Sequence, residues 1–192
     1  MKKVIDILLP WALIAFFLMI LLLLYNQMNG NYVDRGEDAP VPEHLHPVVE
    51  ENKNILLEQA ADIGIDVVIT DGTRSIERQN ELYAQGRTAD GVIVTHAEGG
   101  ESYHNYGLAI DYALRNDEGE IIWDITYDGN DNGERDWFEV ADIAKELGFE
   151  WGGDWESFTD YPHLQMDFGL SIAQLQRGLR PDPEGEQEEA HE

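Results

Sequence analysis

Apolar and polar positions change period several times along this chain, and each change predicts an element. From Ile7 to Leu24 every residue is apolar except Pro10. As a helix that run spans about 27 Å, close to a bilayer's hydrocarbon core, so it predicts a membrane span. Residues 26–43 are mostly Asn, Gly, Asp, Glu and Pro, which predicts a flexible linker. Val48, Val49, Asn52, Ile55, Leu56, Gln59, Ala60 and Ile63 then recur at helical spacing and predict an amphipathic helix over 47–63. Ile65 to Thr70 is β-branched and strand-like. Ser75 is a helix N-cap candidate with Glu77 in the first turn, and that helix should end near Gly86.

Short strands are expected at Val92–Thr95, Leu108–Leu114, Glu120–Trp123 and Leu164–Asp167. Helices are expected at Asp136–Leu147, closed by Gly148, and at Ser171–Gln176. Helices and strands mix without a βαβ repeat. The class is therefore α+β with a mainly antiparallel sheet, preceded by one transmembrane helix. The organisation predicted is a cytoplasmic stub and anchor (1–25), a linker (26–43), a globular domain (44–180) and an acidic disordered tail (181–192).

Composition narrows the partners. With 39 Asp and Glu against 12 Lys and Arg, the formal charge is −27. Nucleic acid is excluded as a partner, because phosphate binding needs a basic surface. An acidic surface of this kind suits high salt, where screening removes self-repulsion. There is no cysteine, hence no disulfide, no thiolate ligand and no thiol nucleophile. Lys2 and Lys3 precede the apolar run and an acidic segment follows it. The reading is a single-pass cell-membrane protein with its N-terminus inside and its domain outside the cytoplasm. The alternative is secretion after signal cleavage, although Tyr25–Gly30 lacks an Ala-x-Ala-like site. No protein partner is evident.

Three residues carry candidate chemistry: His104, Asp111 and His163. Two imidazoles and a carboxylate suit an open catalytic zinc site, with the fourth position left to water. Asp160, three residues before His163, is near enough in sequence to reach that water. Asp111 sits in an alternating strand, with Leu108, Ile110, Tyr112 and Leu114 on one face and Ala109, Asp111 and Ala113 on the other. His104 must then precede the strand, and Gly107 lets the backbone turn its ring back. Pro162 makes Asp160–His163 a loop entering a strand. The residues alone leave other readings open: a turn histidine at 104, a partner for arginine at Asp111, a turn-capping Asp160.

Ser102-Tyr103-His104-Asn105-Tyr106-Gly107-Leu108-Ala109-Ile110-Asp111, followed by the distal His163, resembles the zinc peptidases that include lysostaphin, D-alanyl-D-alanine peptidases and the hedgehog signalling domain. Thr73–Arg87, Gly99–Asp111, Trp151–Trp155 and Asp160–Gln165 bring it closer to the L-alanyl-D-glutamate endopeptidases of bacilli and phage endolysins. The resemblance covers roughly residues 44 to 180. One departure is Thr73, where such proteins often carry Tyr; it bears on a groove wall. The resemblance implies a hedgehog/D-alanyl-D-alanine-peptidase-like fold and a Zn²⁺ cofactor on His104, Asp111 and His163. It also implies Asp160 as acid/base and Arg74 as an oxyanion-stabilising cation. Ser102, Trp151 and Trp155 are candidate substrate-binding residues, the alternative for the two tryptophans being core or turn positions. The implied substrate is a peptidoglycan stem peptide, cut at L-Ala–D-Glu by water held on zinc. The alternatives are a D,D- or L,D-carboxypeptidase and a non-catalytic, zinc-containing wall-binding module.

Overall fold

The computed structural model describes residues 16–21 and 32–182. Residues 16–21 are helical and exposed. No helix among the described residues is long and apolar enough to cross a membrane. The expected span at 7–24 and the expected acidic tail lie mostly outside the described residues.

The elements run β1 (Tyr32–Asp34), α1 (Pro47–Asp62), β2 (Asp66–Asp71), α2 (Ile76–Ala84), β3 (Ala109–Arg115), β4 (Ile121–Ile122), α3 (Asp136–Glu146), β5 (Glu150–Trp151), β6 (His163–Gln165), α4 (Ile172–Gln176) and β7 (Leu179–Pro181). The central sheet has the order β2-β3-β6-β5, with β4 on the far end of β3, and every pairing is antiparallel. The α+β class is as expected.

Local chemistry explains the helix boundaries. Pro47 opens α1, where a missing N–H costs nothing, and Gly64 at φ 83° turns the chain out of it. Ser75 caps α2 by accepting from the Arg78 N–H at 3.1 Å. Asp136 and Glu139 lie in the first turn of α3 and Lys145 in its last, matching the helix dipole.

The core forms between the sheet and α1 plus α3. Val49, Leu56 and Ala60 come from α1, and Trp137, Val140, Ala141 and Ala144 from α3. They meet Ile110, Tyr112 and Leu114 of β3 and Leu164 of β6. The Tyr112 hydroxyl donates to the Trp137 carbonyl at 3.0 Å, so this buried polar atom is satisfied. Alternation along β3 therefore turns Asp111 away from the helices.

Two expectations are corrected. Val92–Thr95 is not a strand: no neighbour pairs with it, and Val92, Ile93 and Val94 are 74%, 48% and 43% exposed. β-branched residues suit a strand, but a strand also needs a partner. The linker expected over 26–43 contains β1, whose Tyr32–Asp34 pair antiparallel with Leu179–Pro181 of β7. The two ends of the domain thus hold each other through a pairing of high sequence separation.

Candidate metal centre and its cleft

Strand register brings the site together. Asp111 of β3 is the direct partner of His163 of β6, so their side chains leave the same face. On the other side of β3, the pairing shifts between Ile69 and Asp71. That irregularity sets Asp71 opposite Asp111 and puts three polar residues in one row across three strands. His104 arrives from a 3-10 turn, Tyr103–Tyr106, that precedes β3. Gly107 ends the turn at φ 68°, and a Cβ there would run into the His44 carbonyl. The Arg74 N–H donates to the His104 carbonyl at 2.9 Å, and buried Asn105 donates to the Arg74 carbonyl at 2.8 Å. The turn is thereby fastened to the end of β2.

Three atoms converge. His104 Nε2 lies 3.2 Å from Asp111 Oδ1 and 3.1 Å from His163 Nδ1, and His163 Nδ1 lies 3.3 Å from Asp111 Oδ1. Ligands at zinc bond lengths stand about 3.3–3.4 Å apart on a tetrahedron, so the triangle has the right size. Its chemistry agrees. His104 Nδ1 donates to the Gly72 carbonyl at 2.7 Å, which leaves a lone pair on Nε2. His163 Nε2 donates to Gln165 Oε1 at 3.0 Å, and Gln165 Nε2 donates to Glu150 at 2.9 Å. The Glu150 carboxylate only accepts, which turns the amide oxygen toward the imidazole and leaves a lone pair on His163 Nδ1. Three acceptors facing one another need a cation between them. His104, Asp111 and His163 are accordingly a set that could hold a metal ion.

The surrounding groups hold that set. Burial would raise the Asp111 carboxyl, but when a proton rather than a metal ion lies between it and the rings, hydrogen bonds and charge from His104 and His163 outweigh this and keep it well below the usual carboxylate range. Arg74 Nη2 donates to Asp111 Oδ2 at 3.1 Å, leaving Oδ1 for the centre. The same guanidinium donates to Asp71 from Nε (3.0 Å) and Nη2 (2.7 Å) and to Gln79 from Nη1 (2.8 Å). Arg74 thus lies in the site, as expected, while also pairing with Asp71. Gly72, Gln79, Glu150 and Gln165 were not singled out from the sequence. Only Gln165 had a readable signal, since it stands two residues after His163 on the same strand face. Gln165→Leu is expected to weaken metal affinity about 10- to 100-fold with the fold intact. A metal-competition titration beside a circular dichroism spectrum checks it.

Asp160 shares a cavity of about 600 Å³ with the triad, Arg74, Ser102 and Trp155. Its N–H donates to the Gly152 carbonyl at 2.9 Å, and its carbonyl accepts from the His163 N–H at 3.2 Å. A Cβ on Gly152 would run into the Asp160 carbonyl, so this close approach requires glycine. Burial is the largest influence on the Asp160 carboxyl and raises it; the Asp111 charge adds to this, against His163, His104 and Arg74. Trp155 packs on His163 with ring centroids 5.1 Å apart. Ser102 accepts from the His104 N–H at 3.4 Å, a weak cap for the turn. Trp151 is a correction. It does not line the cavity but lies in the core, its Nε1 donating to the Tyr161 carbonyl at 2.8 Å. Pairing of β5 with β6 turns its ring toward Phe138 of α3. His96 and Phe158 line the cavity unexpectedly. A larger cavity of about 750 Å³, between residues 39–47 and Tyr106, contains none of the triad.

Three side chains that could hold a metal ion, opening on a cleft, match the class of hydrolytic metal centres. A family model described as D-alanyl-D-alanine carboxypeptidase matches residues 95–166. The chain is 65% identical over 130 residues, 68% of its own length and 78% of the relative's, to "Peptidoglycan L-alanyl-D-glutamate endopeptidase CwlK" of Bacillus subtilis (strain 168). It is 33% identical over 113 residues, 59% of its length and 34% of the relative's, to "L-alanyl-D-glutamate peptidase" of Listeria phage A118. Among solved structures, the Serratia marcescens L-Ala D-Glu endopeptidase ChiX aligns at TM-score 0.38 and 23% identity, over 65% of this chain and 90% of that one. The chain belongs to the D-alanyl-D-alanine carboxypeptidase-like family of peptidases, in the branch of the L-alanyl-D-glutamate endopeptidases.

Proposed function

We propose that this protein is a zinc-dependent endopeptidase that cuts the peptidoglycan stem peptide between L-Ala and D-Glu. The observation that carries this reading is the lone-pair triangle of His104, Asp111 and His163, facing a cleft that also contains Asp160 and Arg74. The 65% identity to a relative named for that cleavage supports the bond assignment. Zinc held by the three residues would supply Lewis-acid chemistry, acidifying water and polarising a carbonyl oxygen.

The chain's own groups do the rest. Asp160, ionised, accepts a proton from the attacking water and returns it to the departing amine nitrogen. Arg74 holds Asp111 Oδ2 and orients the carboxylate. Four of its five N–H groups are engaged, and the remaining Nη1 N–H can serve the oxygen that gains charge. Ser102 and Trp155 contribute polar and aromatic wall for the peptide. The apolar run at 7–24 would tether the domain to the membrane's outer face.

A carboxypeptidase needs a further cation for the terminal carboxylate. Arg74 is the single Arg or Lys among the residues lining the cleft. Arg78 pairs with Glu81 on an exposed face, and Arg87 donates to the Tyr83 and Thr95 carbonyls. This favours an internal cut. Digestion of a defined muropeptide, with mass spectrometry of the new ends, is expected to give a free D-Glu amine and L-Ala carboxylate. Release of D-Ala with the L-Ala–D-Glu bond intact would reverse the assignment.

A further inference from the structure

We infer that the loop Asp128–Glu139, remote in role from the zinc centre, is a calcium-binding loop that fastens the start of α3. Its twelve residues read Asp128-Gly-Asn130-Asp-Asn132-Gly133-Glu134-Arg-Asp136-Trp-Phe-Glu139. Oxygen-bearing side chains thus fall at loop positions one, three, five, nine and twelve, with glycine at six. That is the spacing by which an EF-hand loop surrounds Ca²⁺, position seven supplying its carbonyl and position twelve a bidentate glutamate. Calcium, a hard cation, takes six to eight such oxygens, and the acidic side chains here supply three carboxylates.

The folded loop has the matching backbone shape. The N–H groups of Asn132 and Gly133 donate to the two Asp128 oxygens at 3.1 and 3.0 Å. Asn132 N–H also donates to Asn130 Oδ1 at 3.2 Å, and Glu134 N–H to Asn132 Oδ1 at 2.7 Å. Asp131 (φ 57°) and Gly133 (φ 89°) take left-handed conformations that curl the backbone around its side chains. The Glu139 carboxylate faces the loop, accepting from Asn132 Nδ2 at 2.7 Å and Asn130 Nδ2 at 3.3 Å.

Asp136, at position nine, gives the independent sign of a ligand. It is 2% exposed, and its Oδ1 has no hydrogen-bond partner. Its Oδ2 accepts from the Gly129 N–H at 3.0 Å, which orients the carboxylate into the loop. A buried carboxylate oxygen left unpaired is costly, and a cation removes that cost. Burial raises this carboxyl most; the Gly129 N–H and, more weakly, the Asn130 N–H act against it, while the charges of Glu139 and Asp128 add to the rise. Only the second flanking helix of an EF-hand is present, and α3 begins at position nine. Trp137 and Phe138, the next two residues, pack on Tyr112 and Trp151 of the core. A cation here would brace that packing.

The test is calorimetric titration of the purified, zinc-loaded full chain with CaCl₂ in calcium-free buffer; a strong chelator would strip zinc as well. One Ca²⁺ per chain is expected, with Kd within about 10⁻⁶–10⁻³ M, and a melting temperature that rises with occupancy. Glu139→Gln and Asp128→Asn should each raise Kd about tenfold or more, with zinc content and circular dichroism unchanged. Mg²⁺ at the same concentration should bind far less well, since it demands tighter octahedral geometry. Absence of saturable binding up to about 10 mM Ca²⁺ in the folded, zinc-loaded chain would overturn the inference. So would an effect equal in Mg²⁺ and unchanged in both variants, because that is screening of the acidic surface. The zinc peptidase reading survives either result.

Discussion

Replacing Asp160 with asparagine is expected to leave the zinc content unchanged and to lower kcat about 10²- to 10⁴-fold. The amide is nearly isosteric, and the Asp160 backbone bonds to Gly152 and His163 do not involve the side chain. Geometry is kept and only the proton acceptor goes. The pH profile separates this from a structural effect. A general base works ionised, so activity should be present above the Asp160 pKa and fall as pH drops through it. Burial, then the Asp111 charge, raise that carboxyl, and a zinc cation held by the neighbouring triad would draw it back down, so the position of the limb reports both influences. The residual activity of Asp160→Asn should lack the limb. Near-native turnover would instead move the base elsewhere, and Glu101, which also lines the cleft, would be the next residue to replace.

His104→Ala and His163→Ala are each expected to lose bound metal and, with it, activity. The unaltered domain should contain one Zn²⁺ per chain by elemental analysis. Two ligands and water do not replace a set of three in which Gly72 and Gln165 aim the two imidazoles and Arg74 orients Asp111. Zinc should also be released as pH falls, because imidazole must be unprotonated to ligate. Both histidines are nearly buried, so folding must be verified by circular dichroism. Full zinc occupancy in either folded variant would show that the ligand set is different.

Much of this was legible from local pattern. The 3.6-residue period of Val49, Leu56 and Ala60 marks α1, because one face of that helix must be buried whatever covers it. Gly107 could be read as a reversal before β3, since only glycine takes φ 68° cheaply beside the His44 carbonyl. His104, Asp111, Asp160 and His163 stood out because their spacing lies within short motifs. The calcium-loop spacing of Asp128–Glu139 is equally local.

Other features depend on residues far apart in the chain, and no local period records them. The register that makes Asp111 the partner of His163, and the irregularity that adds Asp71 to that row, arise from strand pairing across the sheet. Asp71 and Gln79 are near Arg74 in sequence, but its third partner, Asp111 of β3, is chosen by the fold in the same way. Trp151 and Trp155 are four residues apart and alike in chemistry, yet one fills the core and the other packs on His163 in the cleft. Val92–Thr95 has strand composition without a strand to join, and Tyr32–Asp34 has linker composition but pairs with β7. Periodicity reports what a segment must bury; only the folded chain decides which neighbour buries it, and in what register.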